Sequence, residues 1–269
     1  MSSPPKIMAQ SVGDMLFAIG LAEGRYSDPR SLARYHAQVY SQNGEDGIIA
    51  EIFHRVGAKD RLFVEIGIET GQQNNTRLLL ETGWRGVWVD GNQSALASAR
   101  EVFADFIASG ALVIMDAVVT AENIDTVLDV SGVPEQFDFL SLDIDQNTSH
   151  VWRALRRRAR VAVVEYNAAL PAAAAIEVPY DPQWLWDGTN WYGGSLKTLE
   201  LIGGTKGMSL VGCDLLGVNA FFVENGEAVG RFREPFTASA HWEPPRFHVI
   251  GHTGHPPSSS SRQWQRLGT

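Results

Sequence analysis

The chain has 269 residues, 44% hydrophobic and 20% charged, an ordinary globular balance that excludes global disorder. A net charge of −9 excludes holding a nucleic-acid backbone by bulk charge, so no nucleic-acid partner is expected. The single cysteine, Cys213, excludes an internal disulfide, and no run of about 18 apolar residues offers a membrane span.

The start, Met1-Ser2-Ser3-Pro4-Pro5-Lys6, lacks a basic stretch followed by a long apolar core, so a cytoplasmic setting is expected. Residues 1–40 read as an N-terminal helical extension. A main domain follows over 41–230, and a partly disordered tail over 231–269 with the run Ser258–Ser261. Ile48, Ile49, Ile52, Phe53 and Val56 recur at helical spacing, with Gly57 as the stop. Strands are predicted at Arg61–Ile68, Gly86–Asp90, Ala111–Met115, Phe137–Asp143 and Val161–Tyr166. Between them lie helices at Asn74–Thr82, Ser94–Ser109, Ile124–Val130 and His150–Arg158. Residues 168–194 form an aromatic insertion. A helix at Ser195–Ile202 and a hairpin of Ser209–Leu215 with Asn219–Val223, turning at Gly217, complete the domain. Alternating strands and helices predict right-handed crossovers. The expected fold is α/β: a Rossmann-like, open, mostly parallel seven-stranded sheet with helices on both faces and an antiparallel C-terminal hairpin.

Such a sheet binds ligands at the carboxyl ends of its strands. Phe63–Gly71 is a buried strand running into a loop that contains only Gly67 and Gly71, short of the three-glycine dinucleotide fingerprint. Glu65 and Glu69 there would repel a pyrophosphate and tolerate a sulfonium or ammonium, which favours a cationic cofactor over NAD. Asp90 ends the next strand where a ribose-binding carboxylate belongs, and Asp116 ends the third, suited to an adenine amino group. Each acid singly is equally well explained as a helix cap.

The stretches Ser41–Gly47, Phe63–Gly71, Asn74–Thr76, Gly83–Gly86, Asp138–Asp145 and Gly217–Val223 together resemble FkbM-like class I S-adenosylmethionine-dependent methyltransferases. The resemblance covers about residues 40–225. It implies S-adenosylmethionine as cofactor, with Glu65, Gly67 and Gly71 lining it, Asp90 at the ribose and Asp116 near the adenine.

Methyl transfer to an alcohol needs near-attack geometry and a proton acceptor. Asp143 and Asp145 share one side of an extended segment, as do Glu165 and Asn167. The set Asp143, Glu165 and Asn167 offers hard oxygens for Mg²⁺ or another divalent cation, in a layout similar to metal-dependent O-methyltransferases. Caps or direct substrate contacts explain these residues as well. His150 and Asp145 are the candidate bases, with Asp143 beside them; a surface role is the rival reading of His150. Trp184, Trp186, Trp191 and Tyr192, with Ser195 opening the next helix, are expected to wall a glycan or other small-molecule acceptor. The insertion is also compatible with packing against the fold or forming a homodimer. Rival functions are cyclisation of S-adenosylmethionine, N-methylation, an NAD-linked oxidoreductase and a non-catalytic nucleotide-binding protein. Arg153, Arg156, Arg157 and Arg160 read as a solvated helix face, and His241, His248, His252 and His255 as part of a mobile tail.

Overall fold

The computed structural model describes residues 24–184, 186–246, 254–258 and 262–267. Its centre is a seven-stranded sheet of β1 (Leu62–Ile66), β2 (Arg85–Asp90), β3 (Leu112–Asp116), β4 (Gln136–Leu142), β5 (Arg158–Glu165), β7 (Met208–Cys213) and β8 (Asn219–Glu224). The spatial order is β3-β2-β1-β4-β5-β8-β7. The first five strands pair in parallel, while β8 runs antiparallel to both β5 and β7. The expected mostly parallel sheet with its closing hairpin is therefore present. A separate antiparallel pair joins β6 (Ile176–Glu177) to β9 (Gln265–Arg266).

Two apolar cores follow from strand alternation. Val64, Val87, Leu140 and Ala162 pack on one face with α5 (Ile124–Val130), α6 (Thr148–Ala154) and α7 (Leu196–Thr205). Phe63, Trp88, Phe139 and Val161 pack on the other with α1 (Glu45–Val56), α2 (Arg77–Glu81) and α3 (Gln93–Val102). Being covered on both faces, β1 is buried at all five residues, which is why it reads as a continuous apolar run broken only by Glu65. The expected helix Ser94–Ser109 is two, because the chain leaves helical geometry at Phe103 before α4 (Ala104–Ala108). The Phe103 ring meets Trp88 edge-on at 4.7 Å, so packing overrides helical continuity there.

The arginine-rich helix is a second correction. Helix α6 stops at Ala154, Leu155 is extended, and β5 starts at Arg158. The four guanidiniums pair with carboxylates in different places instead of sharing one helix face: Arg153 with Glu177, Arg156 and Arg157 both with Asp125, Arg157 also with Asp129, and Arg160 with Asp138. An arginine run carries no apolar periodicity that would separate a helix from a strand.

Residues 231–246 are docked through Phe232, α8 (Ala238–His241) and a hydrogen bond from the Tyr166 hydroxyl to the Glu243 carbonyl at 2.7 Å. The mobile-tail reading of His241 does not hold, since its ring is buried; burial, with Arg233 nearby, pushes the imidazole down to about 4. Residues 1–23, His248, His252 and Ser259–Ser261 lie outside the described residues. Among the described residues no helix is long and apolar enough to cross a membrane.

Candidate active site at the carboxyl edge of the sheet

Strands β1, β2, β3, β4 and β5 all end at one edge, and the loops there carry the predicted cofactor residues. Gly67 has φ +88°, and a β-carbon on it would lie 1.5 Å from the Asp143 carbonyl oxygen. Gly71 has φ +73°, and a β-carbon there would come to 2.7 Å of the Trp88 ring. Both glycines are thus demanded by close internal packing. Glu69 is left-handed at φ +48°, and its N–H donates to Asp90 Oδ2 at 2.8 Å. Asp90 Oδ1 takes the Asn92 N–H at 2.7 Å, yet the residue stays partly exposed. Asp116 is the Cα partner of Asp90 in the adjoining strand and is exposed.

Glu65 does not join them. Its carboxylate turns inward and accepts the N–H groups of Asn75 and Thr76, each at 3.0 Å, and the Thr76 hydroxyl, which in turn takes the Trp88 indole N–H at 2.7 Å. Burial outweighs these donors and raises its carboxyl to about 7. The predicted cofactor contact at Glu65 becomes an anchor for the loop before α2. A sequence cannot show which way a strand-end acid turns.

At the ends of β4 and β5 three carboxylates converge. One oxygen each of Asp143, Asp145 and Glu165 lies within 4.8 Å of the other two. Asp145 reaches the cluster from a left-handed backbone, φ +53°, at the start of a 3-10 turn over Asp145–Asn147. Among the described residues none of the three forms an ion pair, and Glu165 Oε2 is buried with no hydrogen-bond partner. Burial, then the Asp143 charge, pushes Asp145 up to about 7; burial followed by both aspartates raises Glu165 well above the ordinary range. Like charges this close are held together by shared protons or by a cation. The donor set fits a hard divalent ion, which Asp143, Asp145 and Glu165 would hold.

Asn167 has both ends of its amide engaged by the fold. Its amide donates to the carbonyls of Asn190 (2.8 Å) and Tyr192 (2.9 Å), and its oxygen accepts the Ala169 N–H. It pins the insertion. His150 is spent similarly: Nε2 donates to the Val178 carbonyl at 2.8 Å, which leaves Nδ1 to accept from Arg153 at 3.2 Å. In both cases a loop distant in sequence claims the side chain. Ser195 is fully buried and caps α7, accepting the Thr198 N–H at 3.2 Å and donating to the Ala174 carbonyl. It faces no acceptor.

The aromatic residues divide into two groups. Trp186 and Tyr192 pack edge-on at 6.2 Å, and the buried Tyr192 phenol feels the charges of Glu165, Asp143 and Asp145. Trp184 and Trp191 pair at 5.5 Å around the guanidinium of Arg262. Two residues with no role in the sequence reading support the trio. Glu45, whose charge acts on Asp143, accepts from the Asn219 amide at 2.8 Å, and Asn219 is the Cα partner of Glu165. The Ser41–Gly47 stretch was the available signal.

No protein-family model matches the chain, and no curated protein matches it. Solved structures do resemble it. One is a S-adenosylmethionine-dependent methyltransferase from Clostridium acetobutylicum, 12% identical with a TM-score of 0.42, the match covering 78% of this chain and 98% of that one. A second is magnesium protoporphyrin IX methyltransferase (ChlM) from Synechocystis with bound S-adenosylmethionine, 13% identical, TM-score 0.40, covering 80% and 97%. A third is the pyocyanin biosynthetic protein PhzM, 16% identical, TM-score 0.38, covering 65% of this chain and 53% of that one, so this chain spans about half its length.

Proposed function

We propose that this chain is a S-adenosylmethionine-dependent methyltransferase that methylates a hydroxyl of a sugar or natural product with the help of a divalent cation. The observation that carries this reading is one continuous edge bearing two chemistries. Asp90 and Asp116, paired across β2 and β3, suit a nucleoside, while Asp143, Asp145 and Glu165, after β4 and β5, form an acidic cluster with no basic partner among the described residues.

When bound, the cofactor supplies a methyl carbon open to in-line displacement and the cation lowers the acceptor hydroxyl's pKa. Asp90 binds the ribose hydroxyls with the lone pairs left over from Glu69 and Asn92. Asp116 meets the adenine amino group. Asp143, Asp145 and Glu165 would each give one oxygen to the cation and so orient the acceptor, and the second oxygen of Asp145 would take its proton. Gly67 brings the β1 loop against Asp143, so the two halves of the edge keep a fixed separation. Tyr192 and Trp186 close the acceptor side and exclude water.

Incubation with methyl-labelled S-adenosylmethionine and a panel of sugars and polyhydroxylated aromatics tests the chemistry. A labelled methyl ether that is lost with EDTA, and lost in Asp143→Ala, supports the reading. A label carried only on nitrogen, or a turnover indifferent to EDTA, contradicts it.

A further inference from the structure

The aromatic wall is not supported by its own segment alone. On its outer side lies the C-terminal stretch. The Arg262 guanidinium sits 4.1 Å from the Trp184 ring centre and 4.8 Å from that of Trp191, and it donates to Asp187 at 2.6 Å. His255 packs edge-on against Trp186 at 4.7 Å and Tyr192 at 5.5 Å. Two backbone-level ties accompany these contacts: the Asn190 N–H donates to the Pro256 carbonyl at 2.9 Å, and the Ser258 N–H to the Asn190 side chain at 3.1 Å.

The wall's own segment also approaches the backbone that carries the acidic cluster. Gly193 packs beside the Asp145 carbonyl, to which a β-carbon would come within 3.3 Å. Asn167, two residues beyond Glu165, holds the carbonyls of Asn190 and Tyr192. The Tyr192 hydroxyl makes no hydrogen bond among the described residues, and the charges acting on it are those of the trio.

We propose that Arg262 is a positioning residue of the acceptor site, latching the C-terminal stretch onto the insertion and so holding Tyr192 against Asp143, Asp145 and Glu165. This rests on reading the trio as the reacting centre. Strand β9 has only two residues, too few to dock by backbone pairing alone. A planar guanidinium meets two indole faces and a carboxylate at once, which an ammonium does not. The latch therefore depends on arginine at this position, and releasing it opens the wall toward the cluster.

The test uses the full chain as wild type, Arg262→Gln and Arg262→Lys. Amide hydrogen exchange reads the wall, and Tb³⁺, a hard-oxygen cation excited by nearby tyrosine and tryptophan, reads access to the trio. In Arg262→Gln the amides of residues 189–193 are expected to exchange about tenfold faster or more, with β1 and β4 unchanged. Tb³⁺ is expected to reach the trio at least about threefold faster, with Arg262→Lys only partly restoring both. Faster exchange confined to residues 262–267, with Tb³⁺ access unaltered, overturns the proposal. A wild type that binds no Tb³⁺ while its wall responds as described speaks against the cation reading and leaves the latch supported.

Discussion

Gly67 and Asp143 touch backbone to backbone: a β-carbon on Gly67 would sit 1.5 Å from the Asp143 carbonyl oxygen, at a φ of +88°. The two strand ends that carry the glycine loop and the acidic cluster are thus locked together by the absence of a single carbon.

Gly67→Ala is expected to cost about 3 kcal/mol or more, through left-handed strain added to a clash with rigid backbone. Urea unfolding measures it. A change below about 0.5 kcal/mol, the range of an ordinary surface substitution, would show that the two loops can part freely.

At the opposite end of the sheet, Asp138 accepts the N–H groups of Lys59, Asp60 and Arg61 on one oxygen and Arg160 at 2.7 Å on the other. Asp138→Ala leaves the buried Arg160 with the Gly57 and Val56 carbonyls and, as its one remaining acid among the described residues, Glu227 at 3.8 Å, and orphans the turn into β1. A loss of about 3–5 kcal/mol is expected by thermal or urea unfolding. Arg156→Ala, on an exposed pair, should change stability by less than about 1 kcal/mol.

Glu65 gives a pH dependence of definite sign. Its folded carboxyl titrates near 7, above its unfolded value, so the native state holds the extra proton between them. Its contribution is full below the unfolded pKa and is lost as pH rises through about 7. The stability difference between wild type and Glu65→Gln should shrink from pH 5 to pH 8. A difference that grows over that window would mean the three donors from Asn75 and Thr76 outweigh burial.

The acidic trio and Asn167 make separable predictions. Asp145→Asn should weaken divalent-cation binding about tenfold or more, whereas Asn167→Ala should leave it within a few-fold and instead loosen the insertion. Calorimetry with Mn²⁺ decides. Equal losses in the two would restore Asn167 to the coordination sphere.

Most of the sheet could be read from the sequence because buried parallel strands are continuous apolar runs, and their faces sort by alternation as Phe63 and Val64 do. The site was legible as a set of strand-end acids, since such positions converge whatever the loops do. Orientation was not. Glu65 turns to its own loop, His150 to Val178 and Asn167 to Asn190, each drawn by backbone groups that sequence spacing cannot locate. The wall was visible as a tryptophan-rich run, but its outer half was not, because residues 254–258 and 262–267 have no periodicity and are held by side-chain contacts, a few backbone hydrogen bonds and a two-residue strand.

The most direct test of the central claim is calorimetric titration of the full chain with S-adenosylhomocysteine, for wild type and Asp90→Ala. The account predicts saturable one-to-one binding by the wild type and affinity reduced about tenfold or more in the variant, as expected when a charge-assisted hydrogen bond to the ribose is lost. Absence of binding by the wild type, with or without Mg²⁺, would contradict it.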